Sequence, residues 1–260
     1  MLYSAVEALD NQQALQTNGL VGTSAINWSE LMAFKRSYTQ QIPTGTLNGL
    51  QHAGIQTVTG TAHFSDTQTL QINGGTYTAN HFIIATGQTP TLPTIEGHDL
   101  LQTSNEFLDL DRLPEKVAFI GGGYIAIELA NIAVTAGAEV HIIQHNERIL
   151  RDFPEALTHK LVTSLQEKGI HFHFDTDVTT ITQTSNQLTL SNQANFKLTV
   201  DAAFAAMGRN PNIDQLALEK AGVTAYQHVI QVNDHLMSSN PRVFAIGDVV
   251  DRVQPKLTPV

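Results

Sequence analysis

At 260 residues with 42% hydrophobic content, the chain is long enough for two domains and has the composition of a globular protein. A formal net charge of -10 excludes a sequence-independent grip on nucleic acid or anionic membrane, and it favours small-molecule partners. No cysteine is present, so disulfides and thiolate metal sites are excluded and any redox chemistry must come from a cofactor or another polypeptide.

The first fifty residues predict two amphipathic helices, Leu2 to Thr17 and Trp28 to Leu50, with Asn27 or Ser29 as cap. From Ile55 the pattern changes to short Thr-rich strands, "TVTGTAHFS", "TLQING" and "TYTANHFIIATG", joined by Gly and Asn turns. "QTPTLPTIEG" reads as a linker. From Lys116 the order is strand, helix (Tyr124 to Ala136), strand (Glu139 to Gln144), helix (Pro154 to Lys168) and strand (His171 to Phe174). That alternation implies a parallel sheet with right-handed crossovers. Two more Thr- and Leu-rich strands and "DAAFAAMG" close this unit, and the remainder is too short for its own core, so it is expected to pack back on the earlier meander. No run approaches the roughly 18 apolar residues of a spanning helix, and "MLYSAVEALDNQQ" lacks the basic region and apolar run of a signal peptide. A cytoplasmic location is the expectation.

The most informative stretch is "KVAFIGGGYIAIELA", Lys116 to Ala130. It fits G-x-G-x-x-A with Gly121, Gly123 and Ala126: one glycine for the tight turn, one for close backbone approach to a pyrophosphate, and a small residue for helix–strand packing. The helix that follows would offer unpaired N–H groups and a partial positive charge to phosphate. The motif lies between a predicted strand and a predicted helix inside a βαβ unit, and that context turns a weak pattern into a dinucleotide-binding assignment. An acidic residue about twenty positions on would accept from the 2'-hydroxyl of NAD. Here that place holds Gln144, and His145, Arg148 and Arg151 follow, a charge balance that favours NADP.

"HFIIATGQTPTLPTIEG", "AAMGRNPN" and "VFAIGDVVD...LTPV" flank the βαβ unit in a fixed order. With these motifs the whole chain resembles the flavin-dependent pyridine nucleotide-disulfide oxidoreductases, in particular the glutathione reductase branch. The resemblance implies a three-layer Rossmann-like α/β domain, a parallel sheet with helices and an antiparallel meander, inserted in a partial FAD-binding domain. The expected segments are 1–90 (partial FAD-binding domain), 91–209 (NAD(P)-binding domain) and 210–260 (return segment of the FAD-binding domain). The family's first glycine turn, its Cys-x4-Cys and its C-terminal dimerisation domain have no counterpart here, so the chain resembles an internal fragment.

Roles carry over by resemblance. Asp248 would accept from the flavin ribityl hydroxyl with Gly247 leaving room, and Thr86 and Gly87 match the family's crossover near the flavin. Tyr124 matches the tyrosine that covers the flavin, and Ile125 shares the first helical turn with it. Glu128 matches a glutamate that pairs with a lysine this chain does not contain. Gly208 and Arg209 border the nicotinamide pocket, and Thr258 belongs to a segment approaching the flavin ring. Arg151 stands where the family's NADPH-dependent members carry an arginine; His145 takes the place of their other one. In the intact family member, electrons pass from NADPH to FAD and on to glutathione disulfide or a similar disulfide, and a homodimer is formed.

Without redox cysteines the chain itself is expected to bind nucleotide without catalytic residues of its own, to lack FAD and to be monomeric. Dihydrolipoamide dehydrogenase-like, mercuric reductase-like and non-catalytic nucleotide-binding readings stay open, the first disfavoured by Gln144. His171 and His173 share a strand face but have no third ligand nearby, so no metal is expected. Leu157, Leu161, Val162 and Leu165 are expected to be core.

Overall fold

In the computed structural model, residues 1–16 and 18–250 are described. The chain forms two compact units, one of residues 1–45 and 90–208 and the other of residues 46–89 and 209–260. These boundaries differ from the expected 1–90, 91–209 and 210–260, because the N-terminal helices share a core with the segment after residue 90.

Helices α1 (Leu2–Gln16) and α2 (Trp28–Thr39) open the chain, followed by α3 (Ile42–His52). The single helix expected from Trp28 to Leu50 is two helices. Pro43 has no N–H for a continuous ladder and its ring would press on the carbonyl four residues back, so it sits instead in the first turn of a new helix. Asn27 caps α2, its side-chain oxygen accepting from the Glu30 amide at 3.3 Å.

In the first unit, a short helix α4 (Ser104–Phe107) precedes strand β6 (Lys116–Ile120), helix α5 (Tyr124–Thr135), β7 (Glu139–Ile143), α6 (Glu155–Glu167) and β8 (Ile170–His173). Five strands, from β1 (Ala62–Asp66) to β5 (Gln88–Pro90), precede these elements in the chain. Three strands follow where two were expected, β9 (Thr180–Thr184), β10 (Gln187–Ser191) and β11 (Lys197–Val200), and β12 (Ala202–Ala205) closes the unit. The parallel sheet has the order β12-β6-β7-β8, with β6 centred between β12 and β7. Alternate residues of these strands enter different cores, as a period of two requires. Val117, Phe119, Val140, Ile142 and Phe204 pack with α5, α6, α1 and α2. Ala118, Ile120, Ile143, Ala203 and Ala205 pack against Leu188, Leu190, Leu198 and Val200 of the antiparallel β9–β11 layer. The fold is therefore the three-layer α/β arrangement expected.

Helix α6 corrects one detail. Leu165 is buried, but Leu157 is 61% exposed and its neighbour Thr158 takes the inward position. At 100° per residue, Leu157 falls at the margin of the buried stripe that Thr158 and Leu165 define.

The second unit holds an antiparallel meander of β1 (Ala62–Asp66), β2 (Thr69–Ile72) and β3 (Gly75–Thr78). The expected strand through "TYTANHFIIATG" is broken, and its second half is a separate strand β4 (Phe82–Ile84), followed by β5 (Gln88–Pro90). After β13 (Arg209–Pro211) and the hairpin β14 (Ala225–Tyr226) and β15 (Val229–Ile230), strand β16 (Val243–Ala245) pairs in parallel with β4. Phe64, Phe82, Ile84, Ile213, Leu218, Ile230, Val243 and Ala245 form one core, so the return segment packs on the meander as expected.

Candidate functional site

Three glycines between β6 and α5 do three different jobs. Gly121 has φ +113, and a Cβ there would collide with the Ala206 carbonyl. Gly122 is pinned from the other side: a Cβ would lie 2.9 Å from Ile149 Cγ2 and 3.1 Å from Gln144 Oε1. Gly123 is different, with an ordinary φ of -79° and no protein atom nearer its would-be Cβ than the Ala206 oxygen at 3.8 Å. It is exposed, and it caps α5 without any side-chain hydrogen bond. Free N–H groups at a helix start, beside space no side chain fills, suit an anion.

Tyr124 follows on the outside, 37% exposed, whereas Ala126 is fully buried against the helical core and Ile125 packs at its margin. Glu128 lies one turn on, and desolvation holds its carboxyl above the ordinary carboxylate range. The resemblance pairs it with an absent lysine, and no ion pair is formed by it among the described residues.

The loop after β7 is built against the glycine turn. The Leu150 amide donates to the Gly122 carbonyl at 2.9 Å, with Leu150 at φ +47. Gln144 is buried and its amide group donates to Asn146 Oδ1 at 2.8 Å and to the Arg148 carbonyl at 3.2 Å, so its side chain shapes the loop from inside. His145 is exposed, and its Nε2 accepts from the Asn146 amide group at 3.1 Å. The Arg148 guanidinium donates to the Arg151 carbonyl and lies 3.7 Å from Glu155. The Arg151 side chain is exposed and makes no ion pair among the described residues.

Gly122 and Asn146 lock the turn to the loop, and their signals in the sequence are slight: the middle one of three consecutive glycines and an Asn three residues past the end of β7, a common turn former.

Gly208, at φ +123, ends the first unit on the strand-exit side of β12, beyond Ala206. Arg209 belongs to the second unit, where its guanidinium donates to the Gln88 carbonyl at 2.6 Å. Also there, β4 and β16 end side by side: the Ile246 amide donates to the Ile84 carbonyl at 2.9 Å. Thr86 and Gly87 thus leave one strand next to Gly247 and Asp248 leaving the other. Gly87 and Gly247 have φ +63 and +72, and the Asp248 carboxylate is exposed. A carboxylate and two flexible turns at the carboxyl ends of parallel strands fit a polyhydroxyl chain of a cofactor. Thr258 lies outside the described residues.

The chain matches the family model described as pyridine nucleotide-disulphide oxidoreductase over residues 5–260. It is 33% identical over 236 residues to the chloroplastic/mitochondrial glutathione reductase of Pisum sativum, covering 90% of this chain and 42% of that protein. A mercuric reductase of Staphylococcus aureus is 32% identical over 206 residues, 77% of this chain and 38% of that protein. The solved structure of the HOCl-induced flavoprotein disulfide reductase RclA from Escherichia coli superposes with a TM-score of 0.83 at 23% identity, covering 93% of this chain and 54% of that one. At that identity the superposition carries the fold alone. The chain spans about half the length of these proteins or less. Strand order, glycine turn and family match agree: the chain belongs to the pyridine nucleotide-disulphide oxidoreductase family.

Proposed function

We propose that the first unit is a pyridine nucleotide-binding module with a preference for NADPH. The observation that carries this is Gly123: an uncapped start of a twelve-residue helix faces space that no side chain occupies. The α5 N–H groups would hold the pyrophosphate. The loop from Gln144 to Arg151, bonded to Gly122, would present His145 and Arg151 to the adenosine ribose. Arg151 can make a bidentate, charge-assisted contact to a 2'-phosphate, and no carboxylate at position 144 repels it. Tyr124 and Glu128, on the outer first turns of α5, would border the nicotinamide end, together with Gly208.

In the second unit, Asp248, Gly247, Thr86 and Gly87 fit the ribityl chain of FAD, with Thr258 as a further candidate. FAD when bound would relay electrons from the nucleotide to a disulfide such as glutathione disulfide, in a dimeric parent enzyme. With no cysteine in the chain, the function proposed for these residues is nucleotide binding, and no thiol step is assigned to them.

Calorimetric titration of NADPH and NADH into the wild type and Arg151→Ala tests the reading. The expected preference for NADPH is about tenfold, or ~1.4 kcal/mol, and it is lost in the variant while NADH affinity stays. Equal affinity for both nucleotides in the wild type, or an equal loss of both in the variant, overturns it.

A further inference from the structure

Strands β7 and β8 carry three histidines on the face that looks toward the antiparallel layer, away from the glycine turn's helix. His141 pairs in register with His171, and Ile143 with His173. The three rings form one stack: His141 to His171 is 4.9 Å between centroids and His141 to His173 is 5.2 Å, each at 24°. His141 Nδ1 lies 3.0 Å from His173 Nε2, and His141 Nε2 lies 2.9 Å from Glu139 Oε1. The same carboxylate oxygen is 2.8 Å from Lys116 Nζ on β6. From the antiparallel layer, Phe196 meets His173 edge-on at 5.2 Å and brings no charge. His141 is buried, His173 half-buried and His171 exposed.

The proton positions follow from these partners. A carboxylate only accepts, so His141 Nε2 carries hydrogen. In the neutral ring His141 Nδ1 is then an acceptor, and His173 Nε2 must donate to it. A proton added to His173 Nδ1 leaves this relay intact. A proton added to His141 Nδ1 does not, because two N–H groups would then face each other across 3.0 Å, with Glu139 already shared with Lys116.

Burial first, and then the Lys116 and His171 charges, hold His141 below its ordinary value of 6.5, against the opposing pull of Glu139. His173 is lowered by burial and then by His141, His171 and Lys116. With both folded values depressed, the unfolded chain binds more protons in acid. The pair therefore contributes stability that is present above about 6.5 and is lost as pH falls below it.

This pair sits beneath the candidate specificity loop. The His173 carbonyl accepts from the Gln144 amide at 2.9 Å, the Gln144 carbonyl from the Thr176 amide at 3.0 Å, and the Asn146 carbonyl from the Asp175 amide at 3.2 Å. We propose that the His141–His173 pair is a proton-operated latch: with a proton shared between the rings it holds the exits of β7 and β8 together, and on full protonation it loosens the loop of residues 144–151. The nucleotide consequence rests on the reading of that loop as the ribose site. By reciprocity, nucleotide binding then expels protons from the pair.

The test combines two readouts on the intact chain. Calorimetric titrations of NADPH and NADH from pH 7.5 to 5.5, in buffers of different ionisation heat, are expected to show both affinities falling together by roughly tenfold. Net proton release on binding is also expected at the acid end of that range, and His173→Phe should abolish both effects. The same pH profile and proton release in that variant overturns the coupling. Nitrogen-15 imidazole spectra and amide protection factors of the free wild type need neither a ligand nor a variant. Coupled titration of His141 and His173, with Gln144 and Thr176 losing protection in acid, supports the latch; independent titrations at the ordinary histidine value overturn it. If neither nucleotide binds at pH 7.5 the ribose-site reading fails, and the spectra still decide the latch.

Discussion

The carbonyl of Gly122 accepts a 2.9 Å hydrogen bond from the amide of Leu150, which ties the glycine turn directly to the loop after β7. The proposed phosphate and ribose sites would thereby share one contact. Gly122→Ala would drive a methyl to 2.9 Å from Ile149 Cγ2 in a fully buried position. Such overpacking is expected to cost about 1–3 kcal/mol in urea unfolding, and NADPH affinity should fall together with stability.

Gly121 and Gly123 should separate stability from binding. Gly121→Ala meets the Ala206 carbonyl at a φ that side chains rarely adopt, and a loss of about 3 kcal/mol is expected. At Gly123 the nearest atom leaves ordinary van der Waals room. Gly123→Ala should therefore unfold within about 0.5 kcal/mol of the wild type while binding either nucleotide at least ~10-fold more weakly, because the methyl occupies the phosphate's approach. Denaturation paired with calorimetry on both variants would check the contrast.

Lys168, at the end of α6, ties α1 to α5. Its ammonium lies 2.7 Å from both oxygens of Asp10 and 3.0 Å from Asn131 Oδ1, and Asn131 is buried. Lys168→Met leaves that amide oxygen without its donor, at an expected cost of about 1–3 kcal/mol. Hydrogen exchange should show α1 losing protection before the strands do.

The short helix α4 supplies an acid-side prediction. The Thr103 hydroxyl and amide donate to Glu106 at 2.6 and 2.7 Å, and the Asn105 amide donates to the Thr103 hydroxyl at 3.2 Å. These bonds, the hydroxyl first, hold the Glu106 carboxyl below its ordinary value of 4.5. A depressed carboxyl contributes stability above the unfolded value and loses it as pH falls through the folded one. The stability gap between the wild type and Glu106→Gln should thus be widest near neutrality and narrow as pH falls below 4.5. A gap that is constant from neutral to acid would contradict the capping role.

What the sequence determined by itself is local or periodic. Alternation from Lys116 to Phe174 specified a parallel sheet, because strand and helix periods differ and only crossovers join parallel strands. G-x-G-x-x-A located the turn, because few residue types fit its backbone. Asn27 announces a cap, and Thr103 with Glu106 has the spacing of a capping box. Tertiary structure decided what depends on distant partners. The division of "TYTANHFIIATG" between β3 and β4 depended on distant partners, β3 pairing with β2 and β4 with β16, whereas the helix break before Pro43 is local, since the ring alone forbids a continuous ladder. Gln144 directly follows β7, yet its side chain turns inward, because its amide group donates to both Asn146 and the Arg148 carbonyl. The stacked histidines of β7 and β8 needed a register between strands about thirty residues apart, and no local pattern encodes a register.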